Sequence, residues 1–170
     1  DESLVLVSTT TAGEGTSGTL TFDVLDEQNG AAEITVTVND AQGRAVDSET
    51  FTLTVNAIND APILTDIGDQ VTDEDTDFTI DLSSSDVDIA TNGQTLFYSA
   101  TSSDESLVLV STTTAGEGTS GTLTFDVLDE QNGSASVTVT VSDGFLPDTE
   151  TFTLTVPHVN DSPTRAFSYT

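Results

Sequence analysis

The chain has 170 residues, 30 of them acidic against 2 basic, for a formal net charge of −28. A surface of that sign repels nucleic acid and anionic membrane, which excludes nucleic-acid binding and membrane insertion. There is no cysteine and no lysine, so disulfides, thiol nucleophiles and Schiff bases are excluded as well.

Residues 1–30 read DESLVLVSTTTAGEGTSGTLTFDVLDEQNG and return letter for letter as residues 104–133. Beyond them the copies drift. ITVTVNDAQGRAVDSETFTLTV follows the first copy and VTVTVSDGFLPDTETFTLTV the second. The offset is 103 residues at the start (104 against 1) and 101 at the end (Val156 against Val55). About 100 residues is the size of one seven-stranded sandwich domain. The alternation of apolar residues with threonine also argues against a disordered acidic chain.

Residues 1–60 carry the equivalents of only the last four strands of a repeat. Half a sandwich exposes its inner face, so its partner strands have to come from elsewhere. Three arrangements are open: a longer protein cut in mid-domain, a neighbouring chain that donates strands, or residues 61–103 paired with 1–56 in a permuted or exchanged form. The identity of residues 1–30 and 104–133 favours strand exchange and oligomerisation.

Residues 56–64, NAINDAPIL, mark the first junction, and residues 157–163, PHVNDSP, mark the second. In each, Asn-Asp is followed by proline one residue on, and proline keeps its predecessor extended. The complete repeat, residues 61–161, then shows seven strands in order. Residues 63–67 and 70–72 form a first, broken strand, and residues 78–82 a second. The third is 96–100, the fourth the short apolar run 107–110, and the fifth 123–127. Residues 137–141 and 152–156 are the sixth and seventh. Apolar residues face one way and threonines the other, as one buried face requires. No window has a 3.6-residue period, which predicts a chain nearly free of helix. Residues 162–170 are a tail or the start of a further repeat.

Acidic clusters stand at the strand ends: Asp73-Glu74-Asp75, Asp86-Val87-Asp88, Asp129-Glu130, its twin Asp26-Glu27, and Asp143. Oxygen ligands without nitrogen or sulfur suit Ca2+ rather than a softer metal, and Mg2+ keeps its waters too firmly to fit as well. The bland reading of each cluster is a solvated loop, and its recurrence at both poles weakens that reading. Catalysis is not expected. The sole histidine, His158, reads as an incidental loop residue, and no serine sits in a nucleophile-elbow context.

The ordered set resembles the cadherin-like tandem repeats of large bacterial surface and secreted proteins, and more distantly the cadherin ectodomain. Asn59-Asp60-Ala61-Pro62 resembles the cadherin interdomain linker, shortened by one residue. Asp86-Val87-Asp88 leading through Asn92-Gly93 to Tyr98-Ser99 is similar to the Asp-x-Asp approach. Leu128-Asp129-Glu130 is similar to the Leu-Asp-x-Glu motif, and Ser142-Asp143-Gly144 to the x-Asp-x motif. Glu74 stands where the family carries a glutamate after its first strand.

The resemblance implies an all-β, Greek-key, seven-stranded immunoglobulin/cadherin-like β-sandwich in tandem, with Ca2+ at each junction. At the first junction it implies Asp26, Glu27, Asn59, Asp60, Asp86, Asp88 and Asp143. At the second it implies Glu74, Glu130, Asn160 and Asp161. The first site lacks the glutamate of an earlier first strand. The second lacks every ligand of a following repeat, so the first is expected to bind better.

The function so implied is a calcium-stiffened spacer or adhesive segment of an extracellular, surface or secreted protein. Its partners would be neighbouring repeats or identical subunits, joined in one alternative into a fibre or matrix by strand donation. A second alternative is a polysaccharide-binding module centred on Phe145, a residue that otherwise reads as tucked over the sandwich end. Halophilic adaptation would explain the charge without any site.

Overall fold

The computed structural model describes residues 3–12, 17–40, 42–43, 45–116 and 118–160. The chain divides into two compact units, Asp1–Asn59 and Asp60–Thr170.

Unit 1 is two hairpins. β1 (Val5–Ala12) pairs with β2 (Ser17–Val24), and β3 (Gly30–Asn39) pairs with β4 (Ala45–Val55), both antiparallel. Leu4, just before β1, and Val5 join Ala32 and Ile34, which alternate along β3, in a small core, with Phe22, Val36, Leu53 and Val55 packed on it. Phe22 meets Phe51 edge to face at 6.1 Å.

Unit 2 is a complete sandwich. Its strands are β5 (Ile63–Leu64), β6 (Gln70–Val71), β7 (Phe78–Ser85), β8 (Phe97–Ser102), β9 (Val108–Ala115), β10 (Ser120–Val127), β11 (Gly133–Ser142) and β12 (Pro147–Val156). One sheet runs β5-β7-β10-β9 and the other β6-β12-β11-β8. The hairpins β9–β10 and β11–β12 lie in different sheets, and each is flanked by a strand from far earlier in the sequence, β7 beside β10 and β8 beside β11, as in a Greek-key sandwich. All pairs are antiparallel except β6 on β12. Ala135, Val137, Val139 and Val141 of β11 face Leu82, Leu123 and Phe125 in one buried cluster. Each fully buried valine or leucine there is worth roughly 1.5–3 kcal/mol. On the outer face, Thr138 and Thr151 share a hydroxyl hydrogen bond of 2.9 Å.

The broken first strand is held by carboxylates instead of a continuous ladder. β5 lies on β7 and β6 on β12, so residues 65–69 cross between sheets. Asp148 Oδ2 accepts the Leu64 amide at 2.8 Å. Both Glu150 oxygens accept the Ile67 amide, at 2.9 and 2.8 Å. Asp69 Oδ1 accepts the Thr153 amide at 2.7 Å. These bonds replace the pairings that a strand loses when it changes sheets.

Several strands run longer than the alternation predicts. β9 continues to Ala115, and β12 begins at Pro147. Ladder hydrogen bonds persist where both faces have turned polar, because threonine favours extended backbone. A five-residue helix, α1 (Asp88–Asn92), is the one helix among the described residues. Gly93 ends it in the left-handed conformation and returns its amide to Ile89 O at 3.1 Å.

Candidate metal sites at the two poles of the sandwich

The ladders decide which loops meet. Ile63 faces Ser85 and Ser142 faces Phe97, so residues 60–63, 85–97 and 142–147 gather at one pole. Gly133 faces Val156 and Phe125 faces Phe78, so residues 72–77, 127–133 and 156–160 gather at the other.

At the first pole, Asp88 Oδ2 accepts the Asp60 amide at 2.9 Å, and Asp86 Oδ1 accepts the Asp88 amide at 2.8 Å. Asp88 is buried at the start of α1. Asp86 Oδ2 is also buried and has no hydrogen-bond partner among the described residues. A buried carboxylate oxygen left that way is costly, so it marks a place where a cation or water is wanted. Asp143 is buried as well, and its Oδ1 accepts the amides of Phe145 and Leu146 at 2.6 and 2.7 Å. This Asx turn fixes the loop that carries Phe145. Pro62 of the junction is fully buried, which anchors the linker's end to this unit.

At the second pole, Glu74 is buried, and its Oε1 accepts the Val159 amide at 2.6 Å. His158 Nδ1 lies 3.2 Å from the same oxygen, so this histidine has a partner rather than being incidental. Asp75 Oδ1 accepts the Glu130 amide at 2.7 Å, and Asp77 Oδ1 accepts the Val127 amide at 2.9 Å. Glu130 is exposed and adopts a left-handed backbone with φ 58°. Asn160 is exposed. Asp161 lies outside the described residues.

Asp26 and Glu27 sit in unit 1, in the turn that follows β2. Gln28 donates its amide to Leu25 O at 3.3 Å, and Glu27 has the same φ of 58° as its twin Glu130. Asn59 ends that unit. Among the described residues, three of the four buried polar side chains, Glu74, Asp88 and Asp143, are ones that the motifs single out. The fourth, Ser84, shares a 2.7 Å hydrogen bond with Tyr98. Burial holds the Tyr98 phenol above its usual pKa, against a smaller opposing effect of that bond. No three acidic or histidine side chains among the described residues converge as a ready-made metal cage.

The signals that sequence reasoning missed are Asp69, Asp148 and Glu150. They alternate within or beside strands and look like solvated acids. Phe145 also departs from expectation: it is 80% exposed instead of tucked over the sandwich end. Among the described residues, no helix is long and apolar enough to cross a membrane.

No curated protein matches the chain in sequence. Among solved structures, domains 1–6 of the surface layer protein SbsC align at 15% identity with a TM-score of 0.47, over 93% of this chain and 28% of that one. Titin domains z1z2 in complex with telethonin align at 14% identity and 0.45, over 92% of this chain and 73% of that one. An endo-fucoidan hydrolase from glycoside hydrolase family 107 aligns at 16% identity and 0.43, over 91% of this chain and 24% of that one. The chain thus spans about a quarter of the SbsC and hydrolase chains. Identities this low say nothing of a shared activity. The family model of the bacterial Ig domain matches residues 59–157, β5 to β12 with the linker before them, and the chain belongs to the bacterial Ig domain family.

Proposed function

We propose that this chain is a calcium-stabilised repeat module, a spacer or adhesive segment of an extracellular bacterial surface or secreted protein, with no reaction of its own. The observation that carries the proposal is the buried Asp86 Oδ2 without a hydrogen bond among the described residues, on a side chain whose other oxygen accepts the amide of Asp88, itself the acceptor of the Asp60 amide. The donor set is all hard oxygen, which suits Ca2+. At the first pole Asp60, Asp86, Asp88 and Asp143 would hold the ion. At the second, Glu74, Glu130, Asn160 and Asp161 would do so. Because the acids do not converge beforehand, binding would turn side chains inward and so couple the ion to local ordering.

The ion supplies positive charge where a net charge of −28 opposes compaction. Binding only the ordered state stabilises it by about 2.7 kcal/mol at a hundredfold excess over Kd. Calorimetric titration in low salt, beside melting with and without EDTA, tests the proposal. Saturation at one or two ions per chain, with a melting temperature that EDTA lowers, is the expected result. Diffuse uptake with an unchanged melting temperature would leave halophilic adaptation as the account of the charge.

A second reading, polysaccharide binding, is favoured by the exposure of Phe145 on a loop fixed by Asp143. A glycan array with a Phe145→Ala control discriminates: a signal that the variant abolishes supports sugar stacking, and a blank array removes it.

A further inference from the structure

The two outer faces of the unit 2 sandwich differ in charge. β6, β8 and β11 contain no charged residue, and β12 contains two, Asp148 and Glu150. Alternation puts both on the inner side with Phe152 and Leu154, where they accept the amides of Leu64 and Ile67. The outer face of this sheet therefore carries no charge and many hydroxyls. Thr101, Thr138 and Thr151 stand in one row across three strands, and Ser99, Thr140 and Thr149 in the next. Phe97 and Val71, 59% and 71% exposed, lie on its two edge strands. The outer face of the other sheet carries Asp81 and Asp126, both exposed. In unit 1 the twin ladder keeps a hydroxyl pair, Thr35 with Thr50 at 2.9 Å, but sets Glu33 where unit 2 has Ser136.

We infer that the uncharged outer face of β8, β11 and β12 is a contact surface for a second copy of the chain, packed face to face. Charge selects the partner. Each copy has a net charge of −28, so two copies repel most where acids lie and least on the face that has none. A basic partner finds no carboxylate there and is drawn to the acidic poles instead. A hydroxyl both donates and accepts, so two identical faces complement each other about a two-fold axis, which faces of single-sign charge cannot do. Thr138 pairs with Thr151 at 2.9 Å and Thr140 with Thr149 at 3.3 Å. Part of the hydroxyls' hydrogen bonding is thus satisfied within the face, which lowers the cost of taking it out of water. The threonine methyls, with Phe97 and Val71, supply apolar area.

The 10 residues of β11 span about 34 Å and three strands about 14 Å, which gives roughly 500 Å2 per copy. A standard specific interface takes about 800 Å2 from each partner, so one pair of faces associates weakly and reversibly. Salt tightens the contact, because at 1 M the Debye length falls to about 3 Å and the net repulsion is screened. No metal ion enters it, so it stands or falls apart from the calcium sites proposed above.

Sedimentation equilibrium of the full chain in EDTA, in low salt and in about 1 M NaCl, tests this. An apparent mass that rises with protein concentration is expected in high salt, with association at least about tenfold weaker in low salt. Thr101→Glu and Thr151→Glu, each on the face, should weaken association at least about tenfold, because each buries an unpaired charge in the contact. Ser111→Glu, on the outer face of the other sheet, should leave it unchanged. Amide NMR of the unaltered chain reads the same surface without any substitution. Dilution should move the signals of Ser99, Thr101, Thr140 and Thr151 and leave those of Thr79 and Ser111 in place. A single monomer mass at every concentration in high salt would overturn the inference. So would association that Thr101→Glu and Thr151→Glu leave intact, or dilution shifts confined to the other sheet. A neutral glucan that moves the Thr101 and Thr151 signals of a chain that stays monomeric would assign the face to a polysaccharide and overturn it as well.

Discussion

Glu74 Oε1 accepts the amide of Val159 at 2.6 Å across 85 positions of sequence. The residue just past β6 thereby fixes the exit of β12. Glu74→Ala leaves that amide without its acceptor and is expected to cost about 1–3 kcal/mol. Glu74→Gln keeps an acceptor oxygen and should cost less. Urea unfolding at neutral pH separates the two, and equal losses would show that packing, not the hydrogen bond, matters there.

Asp143 allows charge and geometry to be separated. In Asp143→Asn a side-chain oxygen still accepts from Phe145 and Leu146, so the turn survives. Stability in EDTA should change by less than about 1 kcal/mol, while Ca2+ affinity falls roughly tenfold. Calorimetry together with chemical unfolding reads both quantities on the same variant.

Tyr98 and Asp104 set opposite pH limits. Burial raises the Tyr98 pKa, so the folded state prefers the neutral phenol. That contribution is complete below the ordinary phenol pKa of about 10 and is lost as pH rises through the higher folded value. Tyr98→Phe should flatten the alkaline limb of a stability–pH curve while giving up the Ser84 hydrogen bond. Asp104 is the reverse case. The Ser106 hydroxyl, then the Ser106 amide, hold its pKa below the usual carboxylate value. Its contribution is present above about pH 4 and is lost as pH falls through the lower folded value, so Asp104→Asn should flatten the acid limb.

Gly121→Ala is expected to be among the most damaging single changes. The added Cβ would lie 2.4 Å from Thr113 O, which is backbone, as well as against the Tyr98 ring. One strand of the sheet has to move, at a cost of roughly 3 kcal/mol. Thermal unfolding checks this, and a loss below about 1 kcal/mol would mean that β10 shifts freely.

The buried face of the sandwich was legible because it is local. In Val137, Val139 and Val141 the period of two sets both strand and side, and the repeat showed that Phe22 and Phe125 are one position used twice. Glu74, Asp88 and Asp143 were legible as acids at strand ends and as motif positions, but their burial was not, because hydropathy assigns a carboxylate to solvent. What stayed hidden is long-range and polar. Glu150 meets Ile67 across 83 residues, and nothing in a Thr-Glu-Thr run distinguishes a carboxylate that accepts a backbone amide from one in water. The helix α1 was missed because five residues cannot display a helical period.

The first strand that changes sheets has a mechanical consequence. β6 runs parallel to β12, and the entry and exit of unit 2 lie at opposite poles. Tension applied between the two ends therefore slides these strands along each other instead of peeling them apart. The amides of Leu64, Ile67, Gly68 and Thr153, gripped by Asp148, Glu150 and Asp69, take the load together. Rupture then requires several bonds to fail at once, and a domain built this way resists stretching far better than its modest count of pairings would indicate.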